Sequence, residues 1–106
     1  MVKVTLHYQG SSFAEMTADG HAHSGEEGHD LVCAAISSII FGGLNALADG
    51  DHNYEAEADK KGHIRLRSLK TPSPHDAIVL ETIAKQIESL ASSHPENVKL
   101  ERKNDK

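Results

Sequence analysis

The feature that most constrains this chain is an abrupt change of composition at residue 31. Residues 19–30, DGHAHSGEEGHD, hold three glycines, three histidines and no aliphatic side chain larger than Ala22, so they cannot build a core. The nineteen residues that follow, LVCAAISSIIFGGLNALAD, are apolar round most of a helical circumference, as a helix packed on several sides must be. Asp30 stands immediately before that run and is the predicted N-cap. Gly42 and Gly43 inside the helix each cost about 1 kcal/mol relative to alanine. Their presence predicts close approach of another backbone there, from a sheet or from a second subunit.

On either side of this pair of segments the period changes to two. Val2, Val4, Leu6 and Tyr8 alternate with Lys3, Thr5 and His7, the pattern of a strand with one buried face. Residues 9–12 read as a turn and Phe13 to Thr17 as the second arm of a hairpin. Gly50 and Asp51 break the helix. Tyr54, Ala56 and Ala58, then Ile64, Leu66 and Ser68, form a second hairpin joined at Lys60, Lys61 and Gly62. A second helix opens at Ser73 or Pro74 and carries Ala77, Leu80, Ile83, Ala84, Ile87, Leu90 and Ala91 on one stripe until Pro95. Val98 and Leu100 suit a short last strand, and Arg102 to Lys106 read as a charged tail. The expectation is a single domain over residues 1–106. Its predicted class is α+β, a two-layer ββαββα sandwich whose antiparallel sheet carries two helices on one face.

At 106 residues the chain has room for one core and not two. Eleven basic against sixteen acidic residues give a formal charge of -5, which argues against nonspecific nucleic-acid binding. A single cysteine excludes an internal disulfide, and a small secreted domain would be expected to have some. No apolar run is long enough to span a membrane, and the N-terminus reads as a strand, not a signal peptide. A cytoplasmic location follows as the expectation.

Cys33 is the candidate nucleophile. Thiols attack as thiolates, and an unperturbed pKa of about 8.5 leaves them mostly protonated at neutral pH. With Asp30 as cap, Cys33 falls at the third helical position, where free amides and the helix dipole favour negative charge. Those amides also suit an oxyanion formed during acyl transfer. His21, His23 and His29 lie in the adjoining segment as candidate bases; His21, between Gly20 and Ala22 and directly after the second strand, is the choice among them. Residue types alone leave two other readings open: a small buried core side chain for Cys33, and a zinc site from His21, His23, His29 and Cys33. The spacing lacks paired Cys-x-x-Cys units, and neither metal nor cofactor is expected.

Gly-His-Ala at 20–22, Gly-x-x-Gly-His-Asp at 25–30 and Val-Cys-Ala-Ala-x-Ser at 32–37 resemble the signature of the ribosomal-processing cysteine protease family, Prp, of Firmicutes and related bacteria. The order and length of the remaining chain are similar to that family as well. The resemblance implies a catalytic dyad of His21 and Cys33, with Gly20, Asp30 and Ser37 as substrate-binding or supporting residues. It implies a loop through Gly25, Glu26, Glu27 and Gly28 that rearranges over bound peptide. The implied reaction removes the N-terminal extension of a large-subunit ribosomal protein, number twenty-seven, after a pair of aromatic residues, and the implied assembly is a homodimer. The alternative is a noncatalytic ribosome-associated assembly factor that binds the same tail.

Overall fold

The structure is a computed structural model, and it describes residues 1–20, 29–48, 50–59 and 63–104. Strands β1 (Val2–Gln9) and β2 (Ser12–Asp19) make the first hairpin, turning at Gly10 with φ 64°. Val2, Val4 and Leu6 are buried on one face of β1. Phe13, Met16 and Ala18 of β2 meet the same core although 13 and 16 differ by an odd number. The register passes from His7 opposite Glu15 to Tyr8 opposite Phe13, so Ala14 is the extra residue of a bulge that restores the parity.

Helix α1 (His29–Leu44) begins before the predicted cap and ends short of Asp49; Asp30 lies inside it. Beyond Leu44 the amides of Ala46 and Leu47 turn back onto the carbonyls of Gly43 and Leu44. Gly50 and Asp51, expected only to break a helix, belong to the single turn α2 (Gly50–Asn53). Strands β3 (Tyr54–Ala58) and β4 (Ile64–Ser68) pair antiparallel as the second hairpin, while the residues expected to join them, Lys60, Lys61 and Gly62, lie outside the described residues.

Helix α3 (Pro74–Ser93) starts as its sequence predicts, with Ser73 as N-cap and Pro74 in the first turn. It buries Leu80, Ile83, Ala84 and Ile87 and carries the chain back across the sheet to β5 (Val98–Asn104). That return makes β5 parallel to β1, so the five-stranded sheet, ordered β3-β4-β2-β1-β5, is mixed and not wholly antiparallel. The class remains α+β with both long helices on one face. Nor are residues 102–104 a free tail. Arg102 donates to the Tyr8 hydroxyl at 2.9 Å and to Glu88 at 3.1 Å, and Asn104 exchanges two hydrogen bonds with the Gly10 backbone.

At the glycine pair the close neighbour is not the backbone of a sheet or of a second subunit, as expected, but a side chain of the second long helix of this chain. A Cβ at Gly43 would run into the Ile83 side chain of α3, whereas one at Gly42 would meet open space. The second clamp between the helical layer and the sheet is polar. Asp76, 2% exposed, accepts the Tyr54 hydroxyl at 2.8 Å on one oxygen and the Ala48 amide at 3.0 Å on the other. Its own amide donates to the Ser73 cap at 3.2 Å. One carboxylate thus joins the turn after α1, the start of β3 and the first turn of α3.

Asp76→Ala strands a buried hydroxyl and an amide, and is expected to cost about 2–3 kcal/mol in urea unfolding, with Tyr54→Phe costing about 1 kcal/mol. Burial, then the bond to Asp76, holds the Tyr54 hydroxyl well above the ordinary tyrosine value of 10.0. An acid whose folded pKa is raised stabilises the fold below its unfolded pKa and loses that contribution as pH rises. Stability should therefore decline above pH 10, and Tyr54→Phe should flatten that alkaline limb.

Candidate active site

Val32, Ile36 and Ile40 form the stripe of α1 that is driven into the core, each 4% exposed or less. Successive helical residues step about 100° round the axis, so Cys33 sits one step from Val32, on the flank of that stripe, with Ser37 one turn further along the same flank. Both are half-buried, and Cys33 packs against the edge of the core cluster. This is the placement a reactive thiol requires: held by its neighbours on one side and open on the other. A fully buried core cysteine would occupy the centre of the stripe, and here aliphatic side chains occupy it.

The helix start differs from the sequence expectation, and the difference bears on the chemistry. Because α1 begins at His29, Cys33 is the fifth helical residue, past the first turn. The amides left free by the helix geometry are those of residues 29–31. Asp30, being helical, does not act as the N-cap; the apolar run began one turn too late as a guide to the helix start. The helix dipole fades beyond the first turn, so its field at residue 33 is weaker than at the third helical position the sequence suggested.

Strand β2 ends two residues before His21 in the sequence. Its last residue, Asp19, lies opposite Lys3 of β1, and its carboxylate bonds to Nδ1 of His63, the residue just before β4. Next comes Gly20 at φ 145°, a conformation that L side chains rarely adopt. His21, His23, Gly25, Glu26, Glu27 and Gly28 lie outside the described residues, whereas Cys33 and Ser37 stand one helical turn apart on α1. Among the described residues no group of three or more His, Cys, Asp or Glu could hold a metal ion.

Beside the end of β2 a cleft of about 450 Å³ is lined by Thr17, Asp19, Glu57, Ala58, Asp59, His63, Ile64 and Arg65. Sequence reasoning did not find this cleft, because it depends on the β2–β4 pairing, which sets Thr17 opposite Arg65. The only available signal was the run of acidic residues alternating through β3.

Similarity to known proteins bears on what this arrangement does. A family model described as Cysteine protease Prp matches residues 1–99. A Staphylococcus aureus protein named ribosomal processing cysteine protease Prp is 33% identical over 107 residues, covering 96% of this chain and 97% of that one. Among solved structures, the Staphylococcus aureus ribosomal processing protease Prp with a covalently linked product peptide superposes with a TM-score of 0.83 at 29% identity, covering 96% of this chain and 99% of that one. A Streptococcus mutans protein, SMU.848, superposes at 0.86 with 25% identity over 99% of both chains.

Proposed function

The chain belongs to the cysteine protease Prp family, and on that premise we propose that Cys33 is its nucleophile and His21 its general base. The observation that carries this reading is simple: a cysteine protease attacks through a cysteine, and Cys33 is the only one in the sequence. Its half-open position on the flank of α1 supports the assignment. His21 follows Gly20 at the end of β2 and is the base that the family resemblance implies.

The reaction runs in two halves. His21 takes the Sγ proton of Cys33, and the thiolate adds to the scissile carbonyl carbon. The amides of residues 29–31 are available donors for the resulting oxyanion, with Asp30 and Ser37 as supporting residues. As the tetrahedral adduct collapses, the C–N bond breaks, the His21 proton goes to the leaving amine, and a thioester remains. Water, deprotonated by His21, then hydrolyses the thioester and restores the thiol. This chemistry calls for neither metal nor cofactor.

The substrate proposed is the N-terminal extension of the large-subunit ribosomal protein number twenty-seven, cleaved after an aromatic pair as a step in ribosome assembly in the cytoplasm. The relative's description as a ribosomal processing protease with bound product peptide supports it. The decisive experiment is mass spectrometry of that ribosomal protein after incubation with wild-type and variant chains. Cys33→Ala should abolish cleavage, and His21→Ala should slow it about 10²–10⁴-fold. Full activity of Cys33→Ala would refute the nucleophile, and tail binding without cleavage by the wild type would favour the assembly-factor alternative.

The acidic cleft beside the end of β2 suits a basic tail. Asp19, Glu57 and Asp59 line the cleft beside β2, and Glu26 and Glu27 are near in sequence. KM for the natural tail should rise with ionic strength over the range where the Debye length falls below about 10 Å; an unchanged KM would remove the steering role.

We also place a homodimer on the outer face of α1, where Leu31 is 76% and Phe41 42% exposed beside the open Gly42. Phe41→Glu should convert a dimer to monomer in sedimentation velocity at micromolar concentration. A wild-type monomer at that concentration would end the proposal.

A further inference from the structure

The backbone of strand β3 has a free side. The strand stands at one end of the sheet and, among the described residues, pairs with β4 alone. The phase of that ladder follows from its two ends, where the Leu69 amide donates to the Asn53 carbonyl at 2.8 Å and the Asp59 amide to the His63 carbonyl at 3.0 Å. Antiparallel pairs exchange hydrogen bonds at every second residue, so Glu55 and Glu57 turn their backbone groups to β4, opposite Arg67 and Arg65. Ala56 and Ala58 turn theirs outward. The usual devices that blunt such an edge are missing from the strand itself: it has no proline and no lysine, and its register with β4 runs without a bulge. Ala56 and Ala58 share the helix-bearing face with Leu66 and Ile64, yet both are exposed, so no described helix overhangs them.

Charge decides what can approach this border. Glu55 and Glu57 project from the opposite, helix-free face. Glu55 is paired with Arg67, but Arg65, which stands opposite Glu57, gives its Nε–H to Glu15 at 2.9 Å. Asp19, Glu57 and Asp59 line the adjoining cleft of about 450 Å³, whose walls hold no lysine or arginine besides Arg65. The other outer strand, β5, differs: it carries Lys99, Arg102 and Lys103, and its Glu101 is met by Lys99 at 3.2 Å. The excess negative charge therefore belongs to the β3 border.

We propose that β3 docks a basic, extended segment of a partner polypeptide as a sixth strand, with Lys or Arg at every second residue set against Glu55 and Glu57. The residue between the two basic ones faces Ala56 and exchanges two backbone hydrogen bonds with it. Because side chains alternate across a strand, only basic residues two apart reach the same face. For the partner's identity this inference rests on the basic tail of the reading above; the mode of docking depends on neither Cys33 nor its base.

The test compares two blocked peptides of one composition, acetyl-Thr-Lys-Val-Lys-Thr-amide and acetyl-Thr-Lys-Lys-Val-Thr-amide, titrated into the isotope-labelled wild-type chain and followed by NMR. The first should bind about threefold or more tightly than its isomer at low ionic strength and should move the amide resonances of Ala56 and Ala58. A methyl group on the amide nitrogen of its valine removes the donor to Ala56 and should weaken binding about fivefold, a comparison that needs no protein variant. Glu55→Gln combined with Glu57→Gln should abolish the preference for alternate lysines. Glu96→Gln, the same change of charge in the turn before β5, should leave it intact.

Equal affinity for the two isomers, indifference to the methyl group, resonance shifts confined to other elements, or no binding of either peptide at about 1 mM would overturn the proposal. A chain that shows the spacing preference and does not cut the ribosomal protein refutes the substrate reading alone. One that cuts it without any spacing preference refutes the docking mode alone.

Discussion

Asp76 is the point on which the two layers of this protein are hinged together. A carboxylate 2% exposed is tolerable only when its oxygens are engaged, and here they take a tyrosine hydroxyl from β3 and an amide from the turn after α1. Its place in the first turn of α3, three residues beyond the Ser73 cap, adds the favourable field of a helix N-terminus. The apolar contacts supply most of the cohesion, but they are nondirectional. The Asp76 bonds are directional, and they fix where α1 must end relative to β3. The Gly43–Ile83 contact then sets how closely α1 lies on α3.

With α1 held in this way, the orientation of its first turns follows from which residues are apolar. Val32, Ile36 and Ile40 turn inward, and Cys33 is left on their flank. Neither the catalytic reading nor the core reading of a lone cysteine is decided by residue type. The helical step from Val32 makes the distinction, because it keeps the thiol out of the fully buried stripe while denying it full exposure. Membership in a cysteine protease family gives that position its significance.

Much of this was legible in the sequence, for identifiable reasons. Period-two alternation located β1, β4 and the start of β3, and the Ser73-Pro74 signal placed the start of α3, because local propensity and tertiary packing agree there. The N-terminus of α1 was misplaced because the apolar run marks where burial begins, not where helical backbone begins. The parallel strand β5 and the Arg102 and Asn104 bonds depend on pairing across more than ninety residues, for which no local pattern exists. Asp76 was passed over as one more polar residue at a helix start, although Ser-x-x-Asp is itself a capping pattern. Gly20 was read as a support from its place in the motif, but its contact with Met1 and Val2 exists only after β1 and β2 have paired.

The sheet order leaves β3 as an outer strand, and its composition carries a further consequence. Of its five residues, Glu55 and Glu57 flank the central Ala56. If two copies met edge to edge in antiparallel fashion about Ala56, each Glu55 would stand opposite a Glu57 of the other copy, two like-charged pairs in a row. Arg67 reaches Glu55 from β4 within its own sheet and is already committed there. The acidic alternation of β3 thus protects against runaway strand addition, which a small protein with an open sheet border must otherwise prevent by covering that border.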